Sequence, residues 1–141
     1  MTVREIMTRH LVTVDMDASL LKVRRHFERN PIHHLLVVDG QKLVGIISDR
    51  DYLEAISPFI DTLSELKRDM QTLRKRAHRI MTPRPITATA DLPVAEAISL
   101  MLAHNISCLP VVNAQRELDG IITMRDVLRV SMHAPSFQSA A

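Results

Sequence analysis

Two heptads hold the residues most able to do chemistry. Gly45-Ile46-Ile47-Ser48-Asp49-Arg50-Asp51 and Gly120-Ile121-Ile122-Thr123-Met124-Arg125-Asp126 follow one plan: a glycine, two isoleucines, a hydroxyl residue, and a carboxylate three positions later. An apolar run that stops at Ser or Thr predicts a buried strand giving way to a helix, with the hydroxyl as N-cap and the Asp at the third helical position. Such a junction turns backbone N–H groups and the positive end of the helix outward, where a phosphate could sit. The same [ST]-x-x-D spacing is also a capping box, whose whole task is to satisfy the first turn. Either heptad alone is better explained as a cap. The chain has three glycines, however, and two of them open these heptads.

The neighbourhood repeats too. At one constant offset Ile6-Met7-Thr8 returns as Ile80-Met81-Thr82, Val12-Thr13-Val14 as Ile86-Thr87-Ala88, Asp17 as Asp91, and Leu35-Leu36-Val37-Val38 as Leu109-Pro110-Val111-Val112. One extra residue in the following turn then sets Gly45 against Gly120. Residues 3–56 and 77–130 are therefore copies of one unit.

Each copy reads β-α-β-β-α, an α/β (α+β) pattern. A short strand (Val12–Val14, Ile86–Ala88) leads to a helix capped by Asp17 or Asp91. Leu20, Val23 and Phe27 share one face of the first helix; Val94, Ala97, Ile98 and Met101 share one face of the second. Asn30 and Asn105 suit the helix ends. Strands Leu35–Val38 and Leu43–Ile47, joined by the turn Asp39-Gly40-Gln41-Lys42, are too evenly apolar to face water. Short helices from Asp49 to Ile56 and Met124 to Val130 close the copies. The boundaries expected are 1–60 and 80–131 for the two units, a connecting helix over 61–79, and a disordered tail over 132–141. Within the connector Leu63, Leu66, Met70, Leu73, Ala77 and Ile80 alternate steps of three and four. That seam suits a helix laid on its own domain, or a coiled-coil contact with a second chain. Its other face, with Lys67, Arg68, Arg74, Lys75, Arg76 and Arg79, reads as solvated.

Composition removes several classes of function. One cysteine, Cys108, makes no disulfide framework and suits a reducing compartment. The N-terminus lacks a signal-peptide core, and no apolar run reaches membrane-spanning length, so a cytoplasmic location without membrane contact is expected. With no Trp, one Tyr and three Phe there is no stacking platform for nucleic acid, and a net charge of +2 argues weakly for any polyanion. Gly40, Gly45 and Gly120 are too scattered for a dinucleotide turn or a P-loop. No Cys/His spacing supports a metal site. His33 and His34 are adjacent at a strand start, so their side chains diverge. Cys108 falls opposite His34 in the repeat rather than beside a base. No catalytic residues are expected.

The doubled β-α-β-β-α unit, the two Ile-Met-Thr starts, Leu109-Pro110-Val111-Val112 and the two Gly-to-Asp closings together resemble a tandem pair of CBS domains, the Bateman module, from Val3 to Val130. The resemblance implies two units packed about a pseudo-twofold axis, with clefts that take adenosine-containing ligands: AMP, ADP or ATP, less often S-adenosylmethionine. It implies that the Asp accepts ribose hydroxyls and the Ser or Thr assists at ribose or phosphate. One cleft would combine Ser48 and Asp51 with Met81, Thr82, Ile86 and Leu109, Pro110 and Val111. The other would combine Thr123 and Asp126 with Met7, Thr8, Val12, Leu35, Leu36 and Val37. Arg50, Arg84 and Arg125 are candidate phosphate partners.

The function expected is a regulatory adenine-nucleotide sensor with no catalysis and no required cofactor, acting on a separate, unidentified protein. The alternatives are a ligand-free scaffold whose two boxes are only caps, and a polyanion binder using the basic connector. A homodimer is expected, closed by the Val94, Ala97, Ile98, Met101 face and the short closing helices. The two clefts are expected to be unequal, with the Ser48/Asp51 cleft binding better, because Leu36 stands where the second copy has Pro110.

Overall fold

The computed structural model describes residues 1–134; residues 135–141, most of the expected disordered tail, lie outside the described residues. The chain is a mixed α+β fold. In order it forms α1 (Val3–Ile6), β1 (Thr13–Asp15), α2 (Leu20–Arg29), β2 (His34–Asp39), β3 (Lys42–Ser48), α3 (Asp49–Ala55), α4 (Lys67–Gln71), a 3-10 turn (Thr72–Arg74), α5 (Ala77–Ile80), β4 (Thr82–Pro83), α6 (Val94–His104), β5 (Cys108–Val112), β6 (Leu118–Thr123) and α7 (Met124–Ser131).

Two compact units form, and they do not follow the repeat boundaries. One is Val12–Pro85; the other joins Met1–Leu11 to the chain from Ile86 onward. The cause is an exchange of opening segments. Around α1, Val3 N–H donates to the Leu92 carbonyl and Arg4 N–H to that of Ala90, both at 2.8 Å, while Val94 N–H donates to the Met1 carbonyl at 3.1 Å. Its repeat counterpart α5 meets the start of α2: Ala77 N–H donates to Ala18 at 2.8 Å and Leu20 N–H to Lys75 at 2.9 Å. Each Ile-Met-Thr segment therefore serves the helix of the other copy.

In the Val12–Pro85 unit a four-stranded sheet runs β1-β2-β3-β4, parallel between β1 and β2 and antiparallel elsewhere. Val14, Leu20, Val23, Leu35, Val37 and Ile47 pack with Tyr52, Leu73 and Ala77 beneath it. In the other unit β5 and β6 pair, and single bridges, Ala88 to Val111 and Thr8 to Ile121, stand where β1 and β4 would. The strand expected over Ile86–Ala88 is thus reduced to one bridge. Leu36 N–H reaches the Val12 carbonyl at 3.4 Å, and Pro110, its counterpart, has no N–H to give.

Three further expectations are corrected. Asp17 and Asp91 do not cap helices: α2 and α6 start three residues later, after Ser19 and Pro93. Asp17 N–H instead bonds the Asp15 carboxylate at 2.8 Å, and Asp91 pairs with Arg4 at 3.0 Å. The single connecting helix is replaced by α4, the 3-10 turn and α5. Buried Asp69 fixes this break, accepting Ser57 Oγ–H and Leu66 N–H, each at 2.7 Å, and extended Arg76 then pairs with Ser19. Only the later part of the seam reaches the core, with Leu73 and Ala77 buried in it and Ile80 packed against it, while Leu63, Leu66 and Met70 stay exposed. Lastly, Ala97 and Met101 lie in the core of their own unit, so of the α6 face expected to meet a second chain only Val94 and Ile98 stay partly exposed.

Candidate functional site

Ser48 caps α3 as the sequence predicts. Its Oγ accepts Asp51 N–H at 3.0 Å, and Ser48 N–H donates to Asp51 Oδ2 at 2.9 Å. Asp51 is half-buried, and no other described residue donates to its carboxylate. The box is thereby a carboxylate held by one oxygen at the start of a helix, with acceptor capacity left over. Asp49 is turned away onto His33, Nδ1 to Oδ2 at 3.0 Å, and that contact holds its carboxyl below the ordinary range. The diverging histidines expected from the sequence are found: His33 is exposed and His34 half-buried.

Thr123 caps α7 by the same rule, yet its Asp is differently placed. Asp126 is 3% exposed. Its Oδ2 accepts Thr123 N–H at 2.9 Å and the Thr123 hydroxyl at 3.0 Å; its Oδ1 accepts the Thr8 hydroxyl at 3.1 Å and faces Arg129 Nη1 at 3.4 Å. This carboxylate is committed inside the protein. The sequence placed Thr8 beside Asp126, as part of a ligand cleft rather than as a donor to the carboxylate, and it missed Arg129. Arg129, three residues after Asp126 where Glu54 follows Asp51, was a legible signal.

The recurring glycines have a packing reason. A Cβ on Gly45 would lie 2.3 Å from Met81 Sδ; one on Gly120 would lie 2.8 Å from the Thr8 carbonyl oxygen and 2.9 Å from Met7 Sδ. The Gly of each closing heptad makes room for the Met of the Ile-Met-Thr segment beside it. Thr82 pairs with Ile46 and Thr8 with Ile121, so the two segments sit in matching registers.

Of the residues expected beside Ser48 and Asp51, Met81 and Thr82 share their unit, whereas Ile86, Leu109, Pro110 and Val111 belong to the other. Of those expected beside Thr123 and Asp126, Met7 and Thr8 share their unit, whereas Val12, Leu35, Leu36 and Val37 do not. Leu35, Val37, Leu109 and Val111 are fully buried in their own cores and expose neither side chain nor backbone. Arg50, Arg84 and Arg125 are exposed and form no ion pair among the described residues. Arg84 follows β4 at φ 46° and bonds the Val44 carbonyl through its N–H at 3.2 Å, so it belongs to the Asp51 unit. No cluster of three metal-ligating side chains occurs among the described residues.

Residues 3–58 and 77–133 both match the CBS domain family. The chain belongs to that family, as a tandem pair. It is 36% identical to a CBS domain-containing protein of Dictyostelium discoideum, covering 89% of this chain and 88% of that one. It is 32% identical to an L-aspartate semialdehyde sulfurtransferase of Methanocaldococcus jannaschii, over 91% of this chain but 23% of that enzyme. Among solved structures, the CBS domain pair of protein MJ0100, in complex with 5'-methylthioadenosine and S-adenosyl-L-methionine, has a TM-score of 0.76 at 30% identity, covering 93% and 95% of the two chains. CBSX2 of Arabidopsis thaliana, in complex with AMP, has a TM-score of 0.76 at 27% identity, covering 93% and 96%.

Proposed function

We propose that the protein is a regulatory sensor of adenine nucleotides (AMP, ADP or ATP) that performs no catalysis and acts on a separate protein, as a cytoplasmic homodimer. The observation that carries this reading is Asp51: a half-buried carboxylate at a helix start, held by one oxygen and free to accept with the other. A ribose offers two adjacent hydroxyl donors, which suits that acceptor. Ser48 caps the same helix, Met81 and Thr82 lie against Gly45 and Ile46 of the strand that leads into it, and the exposed Arg50 and Arg84 supply charge for phosphates. The adenosine ligands bound by MJ0100 and CBSX2 support this ligand class. Asp126 is read as a structural cap. Bound nucleotide favours one arrangement of the protein over another, and the partner responds to that shift.

Thermal shift against AMP, ADP, ATP and S-adenosylmethionine tests the reading. A rise in Tm with at least one adenine nucleotide is expected, and Asp51→Ala removes it. A folded Asp51→Ala protein with an undiminished response would show the ligand assignment to be wrong.

A further inference from the structure

Residues 59–76 lie between the two family segments, so the CBS fold does not account for their side chains. From Lys67 to Arg79 the chain sets Lys67, Arg68, Arg74, Lys75, Arg76 and Arg79 against one carboxylate, Asp69. That stretch is net +5 while the whole chain is +2, so everything outside it sums to −3. Positive charge is thus concentrated in one short strip of an otherwise acidic chain. Adding Glu65 at its edge, whose carboxylate accepts the Asp61 N–H, still leaves +4.

All six cations are exposed, and none forms an ion pair among the described residues. Asp69 cannot answer them, because it is buried and holds Ser57 Oγ–H and Leu66 N–H. Lys75 Nζ donates to the Ala55 carbonyl at 3.0 Å and Arg76 Nη1 to the Asp17 carbonyl at 2.8 Å, contacts that orient both side chains without neutralising them. The frame beneath is fixed as well. Ser57 N–H donates to Thr72 Oγ1 at 3.1 Å, and the Thr72 hydroxyl donates to the Asp69 carbonyl at 2.6 Å. With Asp69 and Leu73 turned inward, the helical step sets Lys67 and Arg74 on the outward side. Burying a carboxylate is costly unless donors meet it. Here one is buried to hold a strip that gives the core only Leu73 and Ala77.

A surface of this kind fits an acidic partner. Four of the six cations are arginines, whose forks match carboxylates and phosphates alike. Two features favour a polypeptide over nucleic acid. The strip has no Phe, Tyr or Trp on which a base could stack. Leu66 and Met70 stand exposed beside Lys67 and Arg68, apolar surface that an amphipathic segment covers and a phosphate backbone leaves wet.

We propose that the surface from Leu66 to Arg79 docks an acidic, leucine-bearing segment of the protein that this chain regulates. The proposal rests on the reading of a sensor that acts on a separate protein, and it names the surface of contact.

Fluorescence anisotropy of the full chain with a labelled peptide of glutamate and leucine at helical spacing tests it, beside the matching lysine–leucine peptide and a labelled DNA duplex. Binding of the acidic peptide that weakens with salt is expected, with none of the lysine peptide. Arg74→Glu/Arg79→Glu is expected to weaken it about 10-fold, and Leu66→Ser/Met70→Ser about threefold. These four side chains are exposed, and an unchanged Tm confirms folding. Absence of acidic-peptide binding, or an affinity that neither variant lowers, would overturn the proposal. A duplex held more tightly than the peptide would overturn it by making the strip a nucleic-acid surface. A changed chain mass in light scattering of Arg74→Glu/Arg79→Glu would do so by assigning the strip to contact between copies. AMP thermal shift on the same samples separates the two readings: nucleotide response without peptide binding sinks only the docking surface, and the converse sinks only the nucleotide sensor.

Discussion

The boxes at Ser48/Asp51 and Thr123/Asp126 obey one sequence rule and end in different chemical states. Both hydroxyls cap a helix, and both carboxylates return to the cap's N–H at 2.9 Å. Asp126 then accepts the Thr8 hydroxyl, the Thr123 hydroxyl and Arg129, and is buried; Asp51 accepts nothing more and stays half open. A capping motif therefore does not by itself distinguish a scaffold element from a ligand contact. Residual acceptor capacity differs between the two boxes, and it is set by neighbours that come from other parts of the sequence.

The largest expected effect separates affinity from stability. Asp51→Ala should weaken adenine-nucleotide binding about 10- to 100-fold, the worth of roughly 1.5–3 kcal/mol for a charged hydrogen bond. Its cost in stability should be about 1 kcal/mol, that of a lost cap interaction. Asp126→Ala should do the reverse, costing about 3 kcal/mol by leaving the Thr123 and Thr8 donors unpaired, with little change in affinity. Calorimetric titration with denaturant unfolding of each variant measures both. Equal affinity losses would erase the contrast between the boxes.

The glycines offer a second contrast. Gly120→Ala should destabilise by about 2 kcal/mol, since the added methyl would meet the Thr8 backbone oxygen. Gly45→Ala should cost less, because the atoms it meets are those of the Met81 side chain, which can turn aside. Urea midpoints in the opposite order would show that the Met81 contact is the more rigid.

His34 and Cys108 occupy matching repeat positions and differ in titration. Burial holds His34 below its ordinary 6.5, so the unfolded chain binds a proton first as pH falls. The contribution of neutral His34 to stability is complete above pH 6.5 and is lost as pH falls from there through the lowered folded value. His34→Gln should flatten that part of the stability profile.

The smallest effect concerns Cys108, whose thiol burial pushes up to about 12. Folded protein should resist iodoacetamide at pH 8 and react only on unfolding. Rapid alkylation of the folded protein would show that β5 opens locally.

The sequence alone determined much of this protein. The repeat, the hairpins around Asp39–Lys42, the Ser48 and Thr123 caps and the α2 core face were legible, because each depends on short-range spacing that the chain cannot alter once folded. Pro110 even carried the reason for the missing strand beside it, since a lost N–H is a local fact. Only the tertiary structure decided which repeat each Ile-Met-Thr segment serves, that the connector breaks at buried Asp69, and that Thr8 closes the carboxylate of Asp126, 118 residues away in sequence. Spacing cannot encode those outcomes. They depend on which distant donors arrive at a lone pair or a helix end, and that is settled by long-range packing.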